Sequence, residues 1–127
     1  MTALLDTHAL RWWFDGSTNL PADIRNLISD RSATIVISVV VPWELAMKTR
    51  LGQLDASVLL TRWMEIVELQ GFSELAVASD HAIRAGLLPL HHRDPFDRLL
   101  VAQAQATGWP IISADRVFDQ YGVRRTW

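Results

Sequence analysis

The chain contains no cysteine. That excludes disulfides, thiolate metal centres and a cysteine nucleophile, and it fits a reducing compartment. Lysine is nearly absent as well: Lys48 stands alone against eleven arginines, the side chain suited to bidentate contacts with phosphate and carboxylate. No excess of one charge exists, since 12 Lys and Arg face 14 Asp and Glu for a net −2. The basic total that usually announces nucleic-acid binding is therefore missing. The longest apolar stretch, Ile35 to Trp43, is interrupted by Ser38 and Pro42 and falls far short of a bilayer span. Met1-Thr2-Ala3-Leu4-Leu5 meets an acid at Asp6 with no basic leader. No signal peptide reads there, and the expectation is a soluble, cytoplasmic protein with no membrane partner. There is no Gly-rich phosphate loop and no Gly-x-Ser-x-Gly elbow, and His91-His92 lacks the spacing of a zinc-binding helix.

What is present is the make-up of a folded chain. Of its 127 residues 50% are hydrophobic and 20% charged, which sets the expectation of one globular domain over 1–127 with a core that needs no staples. Ala3–Leu5 reads as a buried first strand and His8–Phe14 as a short helix. A helix over Pro21–Asp30 follows from the spacing of Ala22, Ile24, Leu27 and Ile28. The β-branched run Thr34–Ile37 predicts a buried strand. Helices are expected over Val40–Leu51, ending at Gly52, and over Val58–Leu69, ending at Gly71. In the second half a strand is expected over Glu74–Val77, a helix over Ser79–Gly86 and a loop over Leu87–Arg93. A helix opened by Asp94-Pro95 runs to Thr107, then a strand over Pro110–Ser113, a helical Asp115–Tyr121 and an edge strand over Val123–Thr126. Strands alternating with helices predict an α/β domain with a mostly parallel sheet.

Four acids fall at the junctions of that alternation. Asp6 ends the first strand, Glu44 lies in the first turns after the second, and Asp115 follows Ile111-Ile112. Asp97 lies in the first turn of the helix opened by Asp94-Pro95. Open parallel sheets bind ligands beyond the carboxyl ends of their strands, so all four can converge there. Two carboxylates 4 Å apart repel by about 4 kcal/mol at an effective dielectric of 20. Either some of the four are protonated, or a hard divalent ion such as Mg²⁺ or Mn²⁺ sits among them. Plainer readings stand beside this one: Asp94 and Asp115 suit helix caps, and Asp97 and Glu44 suit a helix dipole. Thr7 and Ser113 flank Asp6 and Asp115, either to hold a carboxylate or as ordinary turn hydroxyls. His8 and His81 read as helix-surface or packing residues. Trp12, Trp13, Trp43 and Trp63 read mostly as core, with one group available to line an apolar groove for a partner.

Taken together, Asp6-Thr7-His8-Ala9-Leu10, Trp43-Glu44-Leu45-Ala46 with Lys48 and Leu51-Gly52-Gln53-Leu54, and His92-Arg93-Asp94-Pro95-Phe96-Asp97-Arg98 closely resemble the PIN-domain ribonucleases of VapC type. Ser113-Ala114-Asp115, Tyr121-Gly122 and Trp127 continue the resemblance in the same order along nearly the whole chain. It implies a PIN-like α/β/α sandwich and a Mg²⁺- or Mn²⁺-dependent endoribonuclease. It further implies the toxin of a type II toxin–antitoxin pair, neutralised by a VapB-type antitoxin and assembled as a homodimer. By position, Asp6, Glu44, Asp97 and Asp115 match the family's acidic quartet of catalytic metal ligands, with Thr7, Ser113 and Arg98 as supporting residues. Val41-Pro42 stands where the family more often has a Ser-Leu type pair ahead of the glutamate.

The chemistry that follows is in-line attack of an activated water on an RNA phosphodiester, with metal charge steadying the leaving 3′ oxygen. Arg93, Arg98, Arg116 and Lys48 are candidate phosphate contacts, or else solvated and ion-paired surface charges. Two rival readings fit the residues less well. A response-regulator receiver requires an acidic pair at the first strand and a late lysine, whereas Asp6 stands alone and Lys48 is early. A catalytically silent PIN-like module that only binds RNA or protein would keep the repulsion of four clustered acids without using it.

Overall fold

Side chains alternate between the two faces of a strand, and the computed structural model, which describes residues 1–127, has both faces of its central strands covered. Ala3, Leu5, Ile35, Ile37 and Ile112 point into one core, while Leu4, Val36 and Ile111 point into a second. Strands buried on both sides read as continuous apolar runs, which is why Ala3–Leu5, Ile35–Ile37 and Ile111-Ile112 show no polar alternation.

The elements follow in the order β1 (Thr2–Leu5), α1 (Thr7–Asp15), α2 (Ala22–Ser29), β2 (Thr34–Ser38), α3 (Val40–Arg50), α4 (Ser57–Thr61), α5 (Trp63–Gln70), β3 (Ser73–Leu75), α6 (Ser79–Leu87), α7 (Pro95–Thr107), β4 (Ile111–Ile112), a 3₁₀ helix (Arg116–Tyr121) and β5 (Arg125–Thr126). The sheet order is β3-β2-β1-β4-β5. Every pairing is parallel, with Leu4 beside both Val36 and Ile111 and Leu5 beside Ile112. The first core is closed by α1, α2, α3 and α5 through Leu10, Ile24, Leu45 and Val67. Leu100, Val101 and Ala104 of α7 close the second with Phe118, Tyr121 and Val123. The sandwich is thus α/β/α, as expected. No helix is long and apolar enough to cross a membrane.

Some boundaries differ from the sequence reading, for local reasons. The single helix expected over Val58–Leu69 is broken at Arg62, whose φ −113°, ψ 22° leave the helical region. The break precedes Trp63, which enters the core and donates its indole N–H to Glu74 at 2.9 Å. The strand expected over Glu74–Val77 is Ser73–Leu75 instead, because its partner β2 runs out opposite Leu75 and turns into α3. The segment after Asp115 is a 3₁₀ helix, and the edge strand is confined to Arg125–Thr126. Of the four tryptophans read mostly as core, Trp63 is buried, Trp12 and Trp13 are half-buried, and Trp43 is 50% exposed against Phe96.

Phe118 is fully buried and fixes the 3₁₀ helix to the second core. Phe118→Ala is expected to lower unfolding free energy by about 3–5 kcal/mol, the usual cost of emptying such a site, as read by urea denaturation.

Candidate active site

The chain order places β2 and β3 on one side of β1 and β4 and β5 on the other. Between β1 and β4 the direction of winding reverses, and the crevice beyond the carboxyl ends of such a pair is where parallel sheets hold ligands. Asp6 and Asp115 flank it. Asp6 is only 4% exposed and caps α1 by accepting the Ala9 N–H at 2.8 Å. Its other carboxylate oxygen accepts the Ser113 hydroxyl at 2.5 Å. Ser113 is fully buried beyond β4 and its Oγ accepts the Asp115 N–H at 3.0 Å, so one hydroxyl ties the two strand ends together. Asp115 is exposed and caps the 3₁₀ helix through the Val117 N–H at 3.0 Å.

Glu44 reaches the same end from the second turn of α3 and is 3% exposed. Pro42 occupies the third helical position, where a missing N–H breaks no intrahelical bond. The departure from the family pattern there leaves the helix intact. Thr7 donates to Glu44 Oε1 at 2.7 Å, and Lys48, one turn further on, pairs with Oε2 at 2.5 Å. Asp97 sits in the first turn of α7. Asp94 caps that helix by accepting the Phe96 and Asp97 N–H groups at 2.8 and 3.2 Å, with Pro95 at the first helical position. The Asp97 carboxylate meets His92 Nε2 at 2.7 Å.

Burial pushes the Asp6 carboxyl up to about 6, opposed by its bonds to Ser113 and Ala9, and the charges of Glu44 and Asp115 push it further the same way. Asp97 is likewise raised to about 6, by burial first and against its bond to His92, with the charges of Asp94 and Glu44 adding to the rise. Glu44 therefore acts on both, and all four sequence-nominated acids share one field. Asp6 and Asp115 open onto a cavity of about 200 Å³ lined also by His8, Trp12 and Ala114. The largest cavity, about 510 Å³, lies at the other end of β2 and β3 between Ala33, Gly71 and Phe72, and holds none of the four acids. The one set of three potential ligand atoms within 4.8 Å of one another is His92, Asp94 and Asp97, which includes only Asp97 of the four acids.

These residues fit a hard divalent cation. The quartet offers oxygen donors only, and two members resist ionisation because burial leaves their charge undercompensated. The supporting residues divide by role. Thr7 and Ser113 hold carboxylates directly. Arg98 is buried, and its guanidinium donates to the carbonyls of Ala85, Leu88, Pro89 and His92 at 2.8–3.1 Å. It fixes the loop before the site rather than presenting charge to it. Arg93 and Arg116 are exposed, and Lys48 is the cation placed within the acid cluster. Sequence reasoning passed over His92 because helical zinc spacing was the test applied to it. The usable signal was its position five residues before Asp97, with Pro95 forcing the chain to turn between them.

The raised carboxyls give the metal-free chain a pH dependence of definite sign. An acid whose pKa rises on folding binds more protons folded than unfolded, so stability falls as pH rises. The loss begins near the ordinary value of 3.8 and is complete above about 6. Unfolding midpoints in EDTA are expected to be higher at pH 5 than at pH 7.5, by an amount worth a few kcal/mol.

A family model described as PIN domain matches residues 3–123. No curated protein sequence matches the chain. Among solved structures, VapBC2 from Rickettsia felis bound to a DNA fragment from their promoter aligns with a TM-score of 0.73 and 15% identity, covering 99% of this chain and 98% of that one. DNA-bound VapBC from Salmonella typhimurium gives 0.68 and 22% with 99% and 98% covered. FitAcB from Neisseria gonorrhoeae gives 0.60 and 16% with 100% and 97% covered. At these identities the likeness is one of fold.

Proposed function

The chain belongs to the PIN domain family, and from that premise we propose that it is a Mg²⁺- or Mn²⁺-dependent endoribonuclease, the toxin of a VapBC-type pair. The observation that carries this reading is that Asp6, Glu44, Asp97 and Asp115 follow strands or open a helix at the carboxyl end of a parallel sheet, with Glu44 acting on both Asp6 and Asp97, whose carboxyls burial raises. A divalent ion bound among them supplies the charge that activates water and stabilises the departing oxygen in phosphodiester hydrolysis. The protein's own part is to bind and orient. Asp6 and Asp97 are ligands from rigid element ends, Glu44 one from the flank, and Asp115 completes the set directly or through water. Ser113 and Thr7 leave each carboxylate one preferred orientation. Lys48, held on Glu44, places a cation where a phosphate would approach the acid cluster. Arg93 and Arg116 offer further exposed charge for the backbone.

Two partners belong to the same reading. The fold is shared across nearly whole chains with the VapBC complexes, which supports an antitoxin of VapB type. A second copy of the chain follows from the family resemblance. Half-exposed Trp43 beside Phe96, with Met47 exposed further along α3 and Leu51 exposed at its C-cap, provides an apolar face for a protein partner.

Asp6→Asn tests the reading, since it removes charge while keeping shape. RNA cleavage by the purified, partner-free chain is expected to fall at least about 100-fold, the scale of losing a group that stabilises developing charge. In EDTA the variant is expected to unfold no more easily than the parent at pH 7.5, because a buried charge has gone. Added Mg²⁺ or Mn²⁺ should raise the parent's midpoint, by about 2.7 kcal/mol of stability at 100 times the dissociation constant, and should raise the variant's less. Cleavage undiminished in the variant would overturn the assignment of the chemistry to this acid cluster, and a parent that cuts no RNA with either ion present would leave a silent binding module.

A further inference from the structure

His92 was set aside in the sequence, yet it is the residue in which several otherwise unconnected contacts meet. Its Nε2 lies 2.7 Å from Asp97 Oδ2, and its side chain is about three-quarters buried at 29% exposure. Its backbone is held at both ends. The His92 N–H donates to the Tyr121 hydroxyl at 2.9 Å, and that hydroxyl donates to the Pro89 carbonyl at 2.8 Å. The His92 carbonyl accepts from Arg98 at 3.1 Å, while the same guanidinium reaches the carbonyls of Ala85, Leu88 and Pro89. Arg98 follows Asp97 directly in α7, so the helix that carries the acid also grips the loop that carries the histidine. Asp94 meanwhile fixes the backbone of Asp97 through the cap. An exposed surface histidine needs none of this. A loop of polar backbone packed around a buried arginine and a buried tyrosine is built to hold one side chain in place.

Resting on the proposed function, we infer that His92 is a positioning residue for Asp97, fixing the carboxylate through Oδ2 in the orientation in which it would hold the divalent cation. The hydrogen bond leaves one oxygen of Asp97 engaged and the other free, and it is made from a loop rather than from α7 itself. Rotation of the carboxylate about its last bond would break it. Partners of this kind are worth about 10–100-fold in metal affinity.

The test is Mn²⁺ binding, by electron paramagnetic resonance of free ion and by calorimetry, with Mg²⁺ measured by competition, on the full chain and on His92→Ala and His92→Gln. Glutamine carries an N–H near the position of Nε2. His92→Ala is expected to weaken Mn²⁺ and Mg²⁺ about equally, by 10–100-fold, with His92→Gln recovering most of that loss. Unfolding midpoints in EDTA should stay close to the parent's for both variants, which separates positioning from a folding role. Tyr121→Phe, which removes only the hydroxyl seating the His92 backbone, should weaken binding in the same direction by a smaller factor. Binding unchanged in His92→Ala overturns the inference while leaving the nuclease reading intact. A loss confined to Mn²⁺, unrecovered by glutamine, overturns it too, because it would make imidazole itself a ligand. A parent chain that binds neither ion overturns both readings.

Discussion

A carboxylate at the end of a strand buried on both faces has protein for its solvent, and Asp6 is in that position. Water would stabilise its charge; here the Ala9 N–H and the Ser113 hydroxyl do so, and not fully, since the carboxyl is raised to about 6. The sheet makes the strain local. With β1 in the middle of the order, the end of β1 lies beside the ends of both β2 and β4, so the acids that follow those strands are brought toward Asp6. Their charges raise it further. Glu44 and Asp115 were not required to be near Asp6 by any local preference. Topology put them there.

The rest of this end of the molecule compensates for that crowding with groups from separate parts of the chain. Ser113 comes from beyond β4, Thr7 from α1, Lys48 from α3 and His92 from the loop before α7. Each serves one acid. The loop that supplies His92 is irregular, and irregular backbone leaves carbonyls without partners. Arg98 and Tyr121 answer that need from the neighbouring helix and 3₁₀ segment, which is why an arginine is buried here with no carboxylate opposite it. Its donors are satisfied by carbonyl dipoles. A lysine in its place would lack the planar fork that reaches several carbonyls together.

Most of the fold was legible because its signals are local. Apolar runs too short for helices located the central strands, and Asp94-Pro95 located the start of α7 to the residue. What escaped depended on partners. The break at Arg62 answers to the burial of Trp63, and the length of β3 answers to where β2 ends. The site shows the same division. All four acids could be named from their places at element junctions. Arg98 could not be told from a phosphate contact, because nothing in Asp-Arg-Leu-Leu reveals that a loop ten residues earlier packs over the guanidinium. His92 was hidden for a related reason: its bond to Asp97 spans a loop and a helix start, where no periodicity applies.

The charge balance acquires meaning from this arrangement. The chain has 14 acidic and 12 basic residues, and four of the acids belong to the cluster. With those set apart, the remainder carries 12 basic residues against 10 acidic ones, but Arg98 is buried and Lys48 lies on Glu44, so the rest of the surface is close to balance. Without a cation the cluster would place concentrated negative charge in the path of a polyanion, and a surface near balance would offer little to offset it at short range. Under the proposed function, a cation that neutralises the cluster would remove that obstacle and let Lys48 and the exposed arginines act on an approaching phosphate. On the proposed function, cation and nucleic acid are linked ligands of one site: each lowers the electrostatic cost of binding the other, and the coupling must be the same whichever arrives first.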